Sequence, residues 1–309
     1  MSFSLTAKGE ICRTEFAGEC CELAELSALI HMAGSINISG RAFTLRINTE
    51  NAAVARRAFL LIKGLFGVTA KMQMHSNPLK NNHIYSLLID QSSARMVALD
   101  TRLIGEDGIL FAPDASFLAS RCCKIAFLRG AFLGGGSITN PEKRYHMEFV
   151  CSRKEFAQGL LNIIKELGVT AKMIQRNKNY VVYLKEGDPI ITLLTMMGAH
   201  SSILNIENIR IIKSVRNTVN RKVNCETGNL SKTVNASIKQ QESIEYIRTH
   251  MGLEKLSPGL REVAEARINN PEATLRELAA ALGAASKSGV NHKLRKINSI
   301  AEHLKLTRG

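Results

Sequence analysis

Apolar residues recur at helical spacing from Cys20 to about Met32, and then alternate with polar ones at Phe43, Leu45 and Ile47. The first pattern predicts a helix and the second a strand with one face toward a core. An amphipathic stretch, Ala52–Phe66, predicts a second helix closed by Gly67, with a Val-Thr-Ala-Lys strand (68–71) after it. A strand over His83–Ile89 and a helix from Ser92 to Leu103 complete this run. The same order then returns. A helix from Cys122 to about Leu133 precedes alternation at Met147, Phe149 and Cys151; a helix over Lys154–Leu167, a strand over Tyr180–Leu184 and a helix from about Pro189 to Met197 follow.

Three marks fix this return as a duplication. Gly-Val-Thr-Ala-Lys occurs at 67–71 and again at 168–172. The Cys20-Cys21 pair is answered by Cys122-Cys123, and Gly34-Ser35-Ile36 by Gly136-Ser137-Ile138. Chance does not supply three matches in one order and nearly one register, so the chain carries two copies of one αββαββα unit.

The last part reads differently. Thr274 and Glu277 form a capping box before an apolar face of Leu275, Leu278, Ala279 and Leu282. Gly283 can take the positive φ of a tight turn between helices. A second helix starting at Ser286 places Val290, Leu294 and Ile297 toward a core. Its other face displays Ser286, Lys287, Ser288, Asn291, His292, Arg295 and Lys296, a set that suits a recognition helix in the major groove. Ser, Asn and His are the candidate base readers; the cations, with Arg276 on the preceding helix, are candidate phosphate contacts. Helices over about Val234–His250 and from Ser257 or Pro258 to about Ile268 complete an all-helical domain. Between the two parts, 216–232 is rich in Asn and cations, including Arg216, Arg221 and Lys222. It reads equally as a polar linker or as a basic arm that follows a DNA backbone.

Charge sharpens this picture. The 309 residues hold 41 Lys and Arg against 27 Asp and Glu, a net charge of +14, which points to a polyanionic partner. From Arg210 onward there are 18 basic and 9 acidic residues, so +9 of the excess lies in the last third. A hydrophobic content of 45% provides for real cores. No signal peptide or stretch of about 18 uncharged apolar residues is visible, and the seven cysteines are an odd number. A cytoplasmic, nucleoid-associated chain without a membrane role is expected.

The segment Leu128-Arg-Gly-Ala-Phe-Leu-Gly-Gly-Gly136 resembles the signature helix of LAGLIDADG homing endonucleases, with Leu128, Gly130 and Gly136 on the motif's Leu, first Gly and last Gly. The resemblance implies two such helices packed face to face in a single-chain pseudo-dimer, whose paired sheets form a saddle. It also exposes a departure. The metal-binding acid of active members falls on Gly135 and Ala33, and the motif's other Asp on Leu133 and His31. Two-metal hydrolysis needs carboxylates beside the scissile phosphate, so the expectation is no enzyme, no catalytic residue, no metal and no cofactor. With the Asn-Arg-Lys-Val-Asn-Cys-Glu segment (220–226) and the 275–294 stretch, the whole chain resembles the WhiA family. That resemblance implies a sequence-specific transcription regulator of cell division, chromosome segregation or sporulation genes. Its partners would be double-stranded promoter DNA and a second transcription factor or division protein.

The expected fold class is α+β: a duplicated LAGLIDADG-like domain over 1–205 (repeats about 18–105 and 120–205), a basic linker over 206–228, and an all-α helix-turn-helix domain over 229–309. Other chemical signatures fade on inspection. Adjacent cysteines on one helix point about 100° apart, so neither pair chelates an ion by itself; buried thiols inherited by duplication are expected. Gly134–Ser137 follows a helix and lacks the Gly-Lys-Ser/Thr ending of a P-loop. His31 reads as an ordinary helix-end residue. Two other readings compete: a nuclease or maturase recruiting carboxylates from outside the motif, and a protein-docking scaffold.

Overall fold

The computed structural model describes residues 2–308 apart from 16–17, 40–41, 78–81, 106–107, 115–117 and 285. Its contacts divide the chain into two compact units, Met1–Ile212 and Lys213–Gly309.

The first unit opens with α1 (Phe3–Ile11), a helix the apolar pattern did not announce, whose N-cap Ser2 accepts from the Leu5 amide. The first copy then runs α2 (Glu19–Ala33), β1 (Gly34–Ser39), β2 (Ala42–Thr49), α3 (Ala52–Phe66), β3 (Lys71–Asn77), β4 (Asn82–Ile89) and α4 (Gln91–Asp100). A short hairpin, β5 (Ile104–Gly105) with β6 (Gly108–Ile109), leads on. The second copy repeats the order as α5 (Arg121–Gly135), β7 (Gly136–Ile138), β8 (Met147–Cys151), α6 (Lys154–Glu166), β9 (Lys172–Arg176), β10 (Asn179–Leu184) and α7 (Gly187–Met197). Both αββαββα units are therefore present. The Val-Thr-Ala stretches expected to be strand are extended lead-ins; pairing begins only at Lys71 and Lys172.

The duplication survives at the level of register. Each copy builds a four-stranded antiparallel sheet, ordered β1-β2-β4-β3 and β7-β8-β10-β9. Gly34 lies opposite Ile47 in one sheet, and Gly136 opposite Phe149 in the other. Leu45, Ile47, Met147, Phe149 and Cys151 point into the core as alternation required. A slip of one residue would turn every one of them outward.

The core centres on α2 and α5, which pack side by side and run in the same direction. Gly130 sits against the backbone of Glu25 and Gly134 against Leu29 and Met32, close enough that a Cβ on Gly130 would overlap the Glu25 carbonyl. Glu25 is itself buried, 1% exposed. Its carboxylate pairs with the buried Arg57 (Nη2–Oε2 2.9 Å) and with Arg129 (3.2 Å). Arg57 also donates to the carbonyls of Cys12 and Thr14 at 3.1 and 2.7 Å. Burying such charges is tolerable because each finds an opposite charge or a carbonyl.

One helix, α8 (His200–His250), carries the chain into the second unit. Residues 206–228, read as a linker, are thus helical throughout. Thr218 and Thr233 donate to the carbonyls of Ser214 and Asn229, so these hydroxyls are satisfied inside the helix rather than in turns. A 3-10 turn (Leu253–Lys255), α9 (Pro258–Asn269), α10 (Leu275–Ala281) and α11 (Lys287–Arg308) follow. Ile244, Ile247, Leu260, Val263, Leu278, Val290, Leu294 and Ile297 form their common core. Among the described residues no helix is long and apolar enough to cross a membrane.

Candidate nucleic-acid interface

The α10–α11 pair is built as the sequence requires. Thr274 Oγ1 accepts from the Glu277 amide (3.3 Å) while the Glu277 carboxylate accepts from the Thr274 amide (2.7 Å). That second bond holds the Glu277 carboxyl below its usual range. Gly283 takes φ +57° at the turn. Leu278 and Ala279 are buried from α10, and Val290, Leu294 and Ile297 from α11; Leu275 and Leu282 pack at the core's edge.

The expected site residues separate into two groups. Ser288, His292, Arg295 and Lys296 are exposed. At about 100° per residue they lie on the side of α11 away from the buried Val290–Leu294–Ile297 row. Lys287 and the half-buried Asn291 lie nearer that row. They line a cleft of about 540 Å³ together with Arg276, Lys232, Thr233 and the buried Arg267. Arg267 gives Nη1 to the Ala273 carbonyl at 2.6 Å, but its Nε finds no partner, nor does Oε1 of Gln240 in the same lining. Burial pulls the Arg267 pKa down. A cleft rich in cations, with an unused guanidinium N–H at its base, is suited to an anion such as a phosphate.

Ser286 is exposed at the start of α11 and has a structural duty as well. Its Oγ accepts from the Gly289 amide at 3.2 Å and so caps α11. Sequence reasoning missed Lys232, Thr233 and Arg267, because the cleft draws them from α8 and α9. Arg216, Arg221 and Lys222 are all exposed on α8. Their helical phases scatter around the axis, so they form no single basic row.

In the first unit, the ends of α2 and α5 are where a LAGLIDADG nuclease would hold its metals. At the end of α2 a cleft of about 240 Å³ is lined by His31, Cys151, Ser152, Arg153 and residues 109–111, with no carboxylate among the described lining residues. His31 stacks on Phe156 (5.1 Å between centroids) and its Nε2 is 3.2 Å from the Arg102 carbonyl. Burial pushes its pKa down to about 4, so a neutral imidazole donates there. At the end of α5, Lys8 donates to the Leu133 carbonyl at 3.0 Å and lies over the Phe132 ring. The cleft beside it, about 590 Å³, contains one carboxylate, Glu50. Burial lowers the Lys8 pKa to about 8 while Glu50 works against that shift. Glu25, an acid on α2 itself, is committed to Arg57 and Arg129.

The outer faces of the two sheets have diverged in charge. One cross-strand row reads Ser35, Arg46, Leu88, Lys71, and its counterpart Ser137, Glu148, Tyr183, Lys172. Glu148 lies 3.2 Å from His146 and 3.4 Å from Arg176.

Three family models match this chain: a WhiA N-terminal LAGLIDADG-like domain over residues 19–104, a WhiA LAGLIDADG-like domain over 124–216 and a WhiA C-terminal HTH domain over 219–301. The "Probable cell division protein WhiA" of Alkaliphilus oremlandii is 46% identical over 313 residues, covering 98% of each chain. The protein of the same name from Clostridium beijerinckii is 46% identical over 315 residues and covers 100% of both. Among solved structures, full-length DUF199/WhiA from Thermatoga maritima matches with a TM-score of 0.58 at 27% identity, over 98% of this chain and 99% of that one.

Proposed function

The chain belongs to the WhiA family, and from that membership we propose that it is a sequence-specific DNA-binding regulator of genes for cell division, chromosome segregation or sporulation. The observation that carries this reading is the exposed polar and basic face of α11, set beside a cationic cleft on a capped helix-turn-helix. In this reading Ser288, His292 and Arg295 reach base edges. Lys287, Arg276 and Lys232 hold phosphates, and Arg216, Arg221 and Lys222 add sequence-independent attraction. Asn291, at the rim of the cleft, is placed to read a base or hold the adjacent backbone. The duplicated unit (1–205) is the scaffold, 206–228 a basic stretch of helix, and 229–309 the DNA-binding part; the protein works in the cytoplasm, at the nucleoid.

We read the chain as a non-enzyme. The two motif-acid positions hold Ala33 and Gly135, the end of α5 is met by the Lys8 ammonium, and Glu25 is tied to two arginines. A protein partner for the scaffold is the second reading. The Glu148 carboxylate on the outer sheet face opposes a phosphate backbone there.

The test is genome-wide crosslinking and sequencing of the full chain against Arg295→Ala/His292→Ala. Discrete promoter peaks lost in the variant are expected. Peaks that persist unchanged would reject α11 as the reader, and no enrichment in the parent would reject the regulator.

A further inference from the structure

Cys20 and Cys21 are the second and third residues of α2, and Cys122 and Cys123 those of α5. Because the two helices run side by side in the same direction, the pairs meet. The Sγ atoms of Cys20, Cys21 and Cys123 all lie within 4.8 Å of one another. The Cys122 thiol stands outside that trio, on the same turn of α5 as Cys123 and 3.1 Å from Ser120 Oγ. Adjacent side chains diverge along a helix, yet here the sulfurs of Cys20 and Cys21 stay within 4.8 Å of each other, and the second helix brings Cys123 to the same point.

We propose that Cys20, Cys21 and Cys123, completed by rotation of the neighbouring Cys122, form a binding site for a thiophilic divalent cation, zinc. Tetrahedral zinc at Zn–S of about 2.3 Å sets its sulfurs roughly 3.8 Å apart, a small side-chain adjustment for the three sulfurs that already lie within 4.8 Å, with a χ1 rotation of the exposed Cys122 bringing in the fourth. Soft sulfur donors select zinc over magnesium or calcium. Both helix N-termini adjoin the cluster, and their partial positive charge favours the anionic tetrathiolate. Ser120 supports one ligand: its Oγ accepts from the Cys123 amide at 3.3 Å and lies 3.1 Å from Cys122 Sγ, so its proton can go to that sulfur. Cys21 and Cys123 are buried in the helix seam, whereas Cys20 and Cys122 are exposed and leave an entry path. Binding converts four thiols and Zn2+ into one tetrathiolate complex and releases four protons to solvent, with no redox step.

The experiment uses the full chain, purified reduced and without oxygen, stripped with a chelator and titrated with Co2+. One cobalt per chain is expected, with the ligand-field bands of a tetrahedral ion and a sulfur-to-cobalt charge-transfer band, all displaced by equimolar Zn2+. Cys20→Ser/Cys122→Ser changes only solvent-facing thiols and should keep the parent's circular dichroism. It should weaken binding by more than the roughly 10–100-fold that loss of an outer-shell partner costs. An octahedral cobalt spectrum, or equal affinity in the double variant, would overturn the site. So would cross-helix disulfides in protein isolated from zinc-replete cells, which would assign the cluster to redox chemistry.

Discussion

Replacing Gly130 by Ala places a methyl group against the backbone of the facing helix. Its Cβ would overlap the Glu25 carbonyl and come within 3.1 Å of Ala28 Cβ. A carbonyl in a packed helix cannot swing aside, so α2 and α5 must separate. Overpacking of this kind costs about 1–3 kcal/mol, against about 0.5–1 kcal/mol gained from replacing a helical Gly. The same substitution at Gly64 in α3 meets nothing within 4 Å, so only the gain remains. A change of 1 kcal/mol moves the Tm of a 150–250-residue unit by roughly 2–4 °C. At the mid-values, about 2 less about 0.75, the net loss is about 1.25 kcal/mol, so differential scanning calorimetry of the full chain should show the first unit's transition falling by about 2–5 °C for Gly130→Ala. For Gly64→Ala it should rise by about 1–4 °C. Shifts of the same sign, or an unchanged Tm for Gly130→Ala, would refute the close approach of the paired helices.

Other outcomes follow from the same geometry. Lys287→Ala and Arg276→Ala should weaken binding equally on operator and random DNA. Each should flatten the log K against log salt slope by about 0.9, and an unchanged slope would remove the cleft from the phosphate path. His31 titrates near pH 6.5 unfolded and about 4 folded, so the unfolded chain binds the extra proton between those values. Stability should then be present above pH 6.5 and decline toward pH 4 more steeply than in His31→Gln; parallel denaturation curves would contradict its burial. Zinc at ~100 times its Kd should add about 2.7 kcal/mol to the reduced protein. That rise in Tm should be absent in Cys20→Ser/Cys122→Ser.

The duplication was legible because each mark sits where geometry is strict: the helix-closing Gly67 and Gly168, and the Gly34 and Gly136 that begin the inner strands. The helix-turn-helix was legible because its cap, turn and core row are all local. The continuity of α8 was not. Its middle combines Asn, Thr, Ser and Gly228, which favour turns when read singly, and between 230 and 241 only the polar Ser237 and Gln240 are buried and Gln241 half-buried, while Leu230 and Val234 stay exposed. The thiol cluster and the α8–α9 side of the basic cleft were invisible for a different reason. Each is assembled across helices distant in sequence, and spacing along one helix cannot report what another brings to it.

The pairing of α2 with α5 also bears on how the two copies stay together. Had the two copies been separate chains, their association would weaken on dilution, and a protein present in few molecules would fall apart into halves. Joined through one backbone, each half meets the other at an effective concentration in the millimolar range, whatever the cell contains. Mating of the halves then no longer depends on dose. Either half is free to drift on its own, as the Arg46 and Glu148 rows have done, without losing its mate.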